Sequence, residues 1–290
     1  MNVTCAVLGP SGSFCAQAAV AYWGPAARML LMNSIEEVFE AVAQGHCRHG
    51  MVPLQNSLGG SVGATLDQLA AGRHGIAGEY QMRVVQCLLA PAGVEAGDIE
   101  VVLSQAQALA QCRKFLRRAL PGVRLEAVNS TARAAEMVSR WPGRAAAIAP
   151  VQAAELYRLR VLARGIQDRE DSTTRFIHLV QRGRQHPRAL RTTVTVALGQ
   201  GGAAAARDIF ARSGLPVTWV ETRWYPPAGE YRHYLSVEAS ADVPEMRAAL
   251  GELRLASTYY RCLGSYPVAG TGGVQPLRRG VAGSGKWEVR

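Results

Sequence analysis

The chain has 290 residues, enough for two domains and too few for three of ordinary size. An apolar share of 48%, a charged share of 19% and a mean hydropathy of zero describe a folded globular protein and exclude a disordered or fibrous one. The net charge of +10 rests on arginine, because Lys114 and Lys286 are the only lysines. These arginines are spread along the chain without aromatic residues between them. That argues against nucleic acid as a partner and favours a small anionic ligand for those that are not simply solvated.

No basic segment followed by an apolar one begins the chain, and no run of about 18 apolar residues is free of charge, so neither secretion nor membrane insertion is expected. A cytoplasmic location follows as the expectation. Cys5, Cys15, Cys47, Cys87, Cys112 and Cys262 are never two residues apart, which disfavours a zinc ribbon or redox pair and suits buried, reduced thiols.

Residues 3–8 read as a strand and 14–23 as a helix, the first step of an α/β alternation. Ser34 caps a helix that Gly45 closes, and a strand enters at His49. Residues 99–103 are a predicted strand and 106–120 one helix stopped by Pro121. A helix over 131–140 is capped by Ser130, and strand 145–149, helix 152–159 and strand 175–180 complete the first part. An arginine-rich linker with Pro187 follows. Beyond it, strands at 193–198, 217–222, 232–238 and 257–263 and helices at 203–213 and 244–253 give the order βαββαβ. The glycine-rich residues after 268 are expected to form a mobile tail.

The histidines form no metal-ligand pattern, and no covalent-catalysis constellation stands out. Gly59-Gly-Ser-Val-Gly63 has the letters of a nucleophile elbow but follows a polar turn. Gly280 to Lys286 has phosphate-loop spacing but Trp287 stands where a hydroxyl is required. Both are chance matches. Three other strings carry more: Gln55-Asn-Ser57 before a glycine turn, Ser104-Gln-Ala-Gln107 opening a helix that carries Gln111, and Thr173-Thr-Arg175 opening a strand. Singly, each is ordinary capping or turn chemistry. Together, at strand ends of one α/β layer, they suggest one cleft, to which the Gly9-Pro-Ser-Gly-Ser13 turn adds helix-start amides.

Gly9-Pro-Ser-Gly-Ser-Phe14, Val52-Pro-Leu-Gln-Asn-Ser57, the run from Ser104 to Cys112, Ser130-Thr-Ala132, Ile166-Gln-Asp168 and Thr173-Thr-Arg-Phe176 occur in the order of the signatures of the prephenate dehydratase family, which the chain resembles over residues 3–267. The resemblance implies a periplasmic-binding-protein-like catalytic domain over 1–183, with lobe one at 1–77 and 165–183 and lobe two at 78–164. A linker at 184–192, an ACT-like α+β domain at 193–268 and a tail at 269–290 complete the expected plan. It also implies a cofactor-free conversion of prephenate to phenylpyruvate in phenylalanine synthesis, in a homodimer or homotetramer. By similarity Thr174 hydrogen-bonds the departing hydroxyl, while Asn56, Ser57, Ser104 and Gln111 orient the ring and its carboxylates. Gln55, Thr173, Arg175 and the amides near Ser11, Ser13 and Thr131 complete the substrate shell. An amino-acid effector is expected near Gly202, Ala203, Glu221, Thr222 and Arg223, with Trp224 adding bulk where the family has proline. By the same resemblance Gln55, Gln105 and Ser172 stand in place of glutamate, histidine and asparagine, and Gln86 in place of a frequent histidine, so at the three glutamine positions a neutral group replaces a titratable one. This leaves open two further outcomes for the same pocket: decarboxylation without loss of hydroxide, and a silent aromatic-metabolite-binding regulator.

Overall fold

The computed structural model describes residues 3–270 apart from 73, 142, 183–185, 187 and 200. Most of the expected tail, and part of the expected linker, therefore lie outside the described residues.

The chain begins with β1 (Thr4–Leu8), α1 (Phe14–Trp23), β2 (Arg28–Met32), α2 (Ile35–Ala43), β3 (His49–Asn56), β4 (Gly60–Ser61), α3 (Gly63–Ala70) and β5 (Gly75–Arg83). It then builds β6 (Cys87–Ala90), β7 (Val101–Ser104), α4 (Ala106–Gln111), α5 (Arg113–Ala119), β8 (Arg124–Ala127), α6 (Thr131–Ser139), β9 (Ala145–Ala149), α7 (Val151–Tyr157) and β10 (Arg160–Arg164). It returns as β11 (Thr173–Val180), which inserts antiparallel between β3 and β5 in the first sheet, ordered β5-β11-β3-β1-β2 with β4 on β3 and a short late strand on the free edge of β5. The second sheet runs β10-β6-β9-β7-β8. Two α/β lobes joined by two crossings result.

The expected lobe boundary at residues 77 and 78 is corrected: it falls inside β5, which pairs with β11 from Gly75 to Arg83, so the crossing comes after Arg83. The single helix expected at 106–120 is also corrected. It breaks at Cys112, because the returning crossing supplies Asp168, whose amide donates to the Gln111 carbonyl at 2.6 Å and whose carboxylate accepts from the Lys114 amide at 2.9 Å. A tertiary partner thus supplies caps that the local sequence does not show.

Elsewhere the caps are local. Ser13 accepts from the Ala16 amide, Ser34 from that of Glu37 and Ser130 from that of Arg133. Strand β9, Ala-Ala-Ala-Ile-Ala, is buried throughout between two core clusters, where small side chains let helices close on both faces.

The third unit comprises β12 (Arg191–Leu198), α8 (Gly202–Arg212), β13 (Val217–Tyr225), β14 (Glu230–Val237), α9 (Pro244–Ala256) and β15 (Ser257–Tyr266), in an antiparallel sheet ordered β13-β14-β12-β15. Val194, Val196, Leu235 and Val237 meet α8 and α9 on one face. Trp219, Tyr234, Leu263 and Tyr266 turn the other way and share a core with Leu66, Leu69, Ile76 and Ile177 of the first lobe. The chain then pairs β16 (Val268–Ala269) with β5, so these residues, expected at the start of the tail, belong to the first sheet.

Where β15 crosses β5, Gly264 approaches so closely that a Cβ there would lie 2.0 Å from the Ile76 carbonyl oxygen. Backbone on both sides gives little room to relax. Gly264→Ala is expected to lower stability by about 2 kcal/mol or more, seen as a reduced urea midpoint; an unchanged midpoint would refute this packing.

Behind α1, His49 and His178 share a hydrogen bond of 2.8 Å under Tyr22 and Trp23. Burial, then the neighbouring His49, pushes His178 down to about 3. Its folded value lies below the unfolded 6.5, so between these limits the unfolded state binds the extra proton and stability falls as pH falls. Thermal melts from pH 7.5 to 5 should show a loss of about 1.4 kcal/mol per pH unit below 6.5 from this group, absent in His178→Asn.

Candidate functional site

A cleft of about 280 Å³ opens between the lobes. Its floor comes from the first sheet. Side chains alternate along a strand, so β11 sends Thr174 and Phe176 towards α1 and Arg175 to the opposite face; its register partner β3 likewise sends Asn56 to the cleft and Gln55 away. Asn56 Nδ2 donates to Thr174 Oγ1 at 3.0 Å and to the Thr173 carbonyl at 3.2 Å. Its Oδ1 accepts the amides of Leu58 and Gly59 at 3.1 and 2.8 Å. Asn56 is therefore locked, and Thr174, with an acceptor site filled, keeps its proton for a partner in the cleft.

Helix starts form the walls. Ser13 and Phe14 bring the N-terminus of α1, Ser130 and Thr131 that of α6, and Gln105 and Gln107 the first turn of α4. Their free amides and dipoles make a positive environment without a charged side chain. Among the described lining residues there is no Asp, Glu, Lys, Arg or His; the amides of Gln86 and Gln111 and the apolar Ile35, Val62 and Val84 complete the surface. Burial pushes the Cys15 thiol up to about 12, so this wall residue stays neutral. A neighbouring hollow of about 510 Å³ shares Leu8, Gly9, Ile35, Asn129 and Ser130 and adds Glu36 and Arg133. Across the gap Gln107 Nε2 donates to Asn56 Oδ1 at 3.2 Å, and Tyr157 donates to the Ser11 carbonyl at 3.0 Å.

Of the expected site residues, Thr174, Asn56, Gln111, Ser13 and Thr131 line this cleft. The others do not. Ser104 is fully buried and donates to the Ile148 carbonyl at 2.6 Å, bracing two strands of the second lobe. Ser57 Oγ accepts the Thr173 amide at 3.0 Å, so these two tie the β3 turn to β11 beside the cleft. Ser11 is outside the lining and offers its carbonyl to Tyr157.

The largest correction concerns Arg175 and Gln55. On the far face Arg175 donates twice to Glu79, at 2.9 and 2.8 Å, to Gln55 Oε1 at 3.1 Å and to Ser236 at 3.3 Å, with its guanidinium 5.3 Å from the Trp219 ring centre. Glu79 also accepts from Arg191 at 2.6 Å. Burial pushes the Glu79 carboxyl up, but the hydrogen bonds and charges of these arginines outweigh it and hold it below its ordinary value. Thr174 and Arg175, both expected at the substrate, are sent to opposite faces by the strand's two-residue period.

The expected effector residues divide by the same rule. Thr222 stays on the α8 side, sharing a 2.9 Å hydrogen bond with His233, whose ring lies against Gly202 at the start of α8 with Ala203 next to it. Glu221 and Arg223 turn to the first lobe, accepting from Ser61 at 2.5 Å and donating to Asp67 at 3.1 and 3.0 Å. Trp224 is half exposed and packs edge-on against Tyr231. Gln111 was expected as a ligand, whereas Gln86, Gln105, Gln107 and the apolar wall of the cleft were not; for Gln105 and Gln107 the start of α4, and for Phe176 the step from Thr174, were the available signals.

Fold and cleft together define a two-lobed α/β module with a small cleft between its lobes, walled by helix starts, and a third α+β unit packed against the first lobe. The prephenate dehydratase family model matches residues 5–184. The bifunctional chorismate mutase/prephenate dehydratase of Aquifex aeolicus is 33% identical over 271 residues, 92% of this chain and 74% of that protein. The crystal structure of prephenate dehydratase from Arthrobacter aurescens in complex with L-Phe shares 33% identity over 91% of this chain and 90% of its own, with a TM-score of 0.83. A structure described as GqqA, a novel type of quorum quenching acylase, has 28% identity and a TM-score of 0.81 over 92% of this chain and 98% of its own. The chain belongs to the prephenate dehydratase family.

Among the described residues no helix is long and apolar enough to cross a membrane.

Proposed function

We propose that the protein converts prephenate to phenylpyruvate, carbon dioxide and hydroxide, which solvent protonates to water. The bond from the ring to its carboxylate breaks, its electron pair enters the ring, and the bond to the ring hydroxyl breaks opposite it. Aromatisation supplies the driving force, so the protein has to position the dianion and stabilise the departing oxygen.

Thr174 donates to that oxygen while Asn56 holds Thr174 in place. The amides at the starts of α1 and α6, around Ser13 and Thr131, receive the carboxylates. Phe14 and Phe176 bring aromatic rings to the cleft, and Gln111 stands among its polar lining. Arg175 and Gln55 do not touch substrate in this reading; they support the strands from below. The observation that carries it is the Thr174 hydroxyl, fixed by Asn56 and facing a cleft walled by helix starts.

An amino-acid effector on the third unit, supported by the L-Phe named for the Arthrobacter protein, would sit at the start of α8 by Gly202, Ala203 and Thr222. Glu221 and Arg223 would carry its effect to the first lobe through Ser61 and Asp67. Acyl transfer by a side-chain nucleophile, the type of activity GqqA's description suggests, finds no base beside Ser13 or the neutral Cys15 among the described lining residues.

Incubation with prephenate near neutral pH, against a protein-free control, tests the proposal. Phenylpyruvate is expected. A dihydro-hydroxyphenylpyruvate would instead mean decarboxylation with the hydroxyl retained, and unchanged prephenate with measurable binding would mean a silent receptor.

A further inference from the structure

Gln86 lies in the first crossing between the lobes, and its main chain is pinned. Its amide donates to Gln167 Oε1 at 3.0 Å, its carbonyl accepts the Ile166 amide at 3.1 Å, and two residues earlier the Val84 amide donates to the Ser172 carbonyl at 2.8 Å. The second crossing thus fixes the position of the first. The side chain is 97% buried, from a relative exposure of 3%, and it lines the cleft. Its Oε1 is a buried oxygen with no hydrogen-bond partner.

A buried acceptor left unmatched in an otherwise satisfied site calls for a donor from the ligand. The proposed substrate narrows the choice. Near neutral pH both carboxylates of prephenate are ionised and its keto oxygen only accepts, so the ring hydroxyl is its single donor. We propose that Gln86 is a specificity-determining residue that accepts the proton side of the ring hydroxyl through Oε1. The leaving group is then held at two points: it donates to Gln86 and accepts from Thr174. Accepting that proton turns an oxygen lone pair towards Thr174, which aligns the bond that breaks. A ligand of the same shape without the hydroxyl leaves Oε1 unpaired and is rejected.

This rests on the dehydratase reading, and turnover of prephenate by the unaltered protein tests that reading first; its absence would sink both. Given turnover, the assignment is read from two ring-saturated dicarboxylates that cannot aromatise, one with the ring hydroxyl and one without. Inhibition by the hydroxylated compound is expected to be about 10- to 100-fold tighter in the unaltered protein. Gln86→Met, of similar length with no strong acceptor, should bring that ratio to within about threefold, by weakening the hydroxylated compound, relieving the rejection of the deoxy one, or both. Should Gln86→Met fail to fold by circular dichroism, Gln86→Asn, which withdraws the oxygen by one methylene, is read the same way. Equal affinities in the unaltered protein, or a ratio that survives substitution, would overturn the role of Gln86 while leaving the dehydratase reading in place.

Discussion

Thr174→Val should lower kcat for phenylpyruvate formation by about 10²- to 10³-fold, the usual effect of losing one preorganised donor to a developing negative charge. Valine keeps the branched shape that packs on β11 and removes only the hydroxyl. Because the proposed binding mode gives the carboxylates to helix starts elsewhere in the cleft, KM should stay within a few fold, which separates lost transition-state stabilisation from lost binding. Thr174→Ser, retaining a hydroxyl within reach of Asn56, should recover much of the rate. Steady-state assays of product formation decide the matter. A valine variant within threefold of the original kcat would remove Thr174 from the chemistry.

The second large effect belongs to Arg175 and is one of stability. Arg175→Met takes one of two arginines from the buried Glu79 and strips a donor from Gln55 and Ser236 at the seam between the first lobe and the third unit. Breaking one side of a buried ion network costs about 3–5 kcal/mol, because the remaining charge stays out of water. Urea unfolding should show that loss, while KM for prephenate in the folded variant changes by no more than a few fold. The opposite result, an unchanged unfolding midpoint with a tenfold rise in KM, would return Arg175 to the substrate. Neighbours one residue apart, Thr174 and Arg175, are thus expected to fail in different assays.

That contrast also explains how far the sequence could be read. Alternating strand and helix patterns, serine caps at positions 34 and 130, and the βαββαβ order of the last third were all visible, because each depends on local periodicity or capping chemistry. The break at Cys112 was not, because Asp168 reaches it from more than fifty residues away. Nor was the place of β5 in the first sheet, which is decided by pairing with β11. At the site, residue types were legible and directions were not. Ser104 has the composition of a ligand, yet its hydroxyl is spent on Ile148 inside the second sheet. Gln55 was expected in the substrate shell, yet it turns to Arg175. A motif records which side chains occur together; the pleat of the strand then sends them to separate tasks.

The bond from Gln107 to Asn56 joins the two lobes across the cleft, and under the proposed function a substrate entering there would part it. What yields is one amide contact on the second lobe's side. Asn56 keeps the Leu58 and Gly59 amides and its grip on Thr174, all within the first lobe. In the proposed reaction the door and the trigger therefore have separate fastenings: parting the mouth would not disarm the hydroxyl assigned to the leaving group.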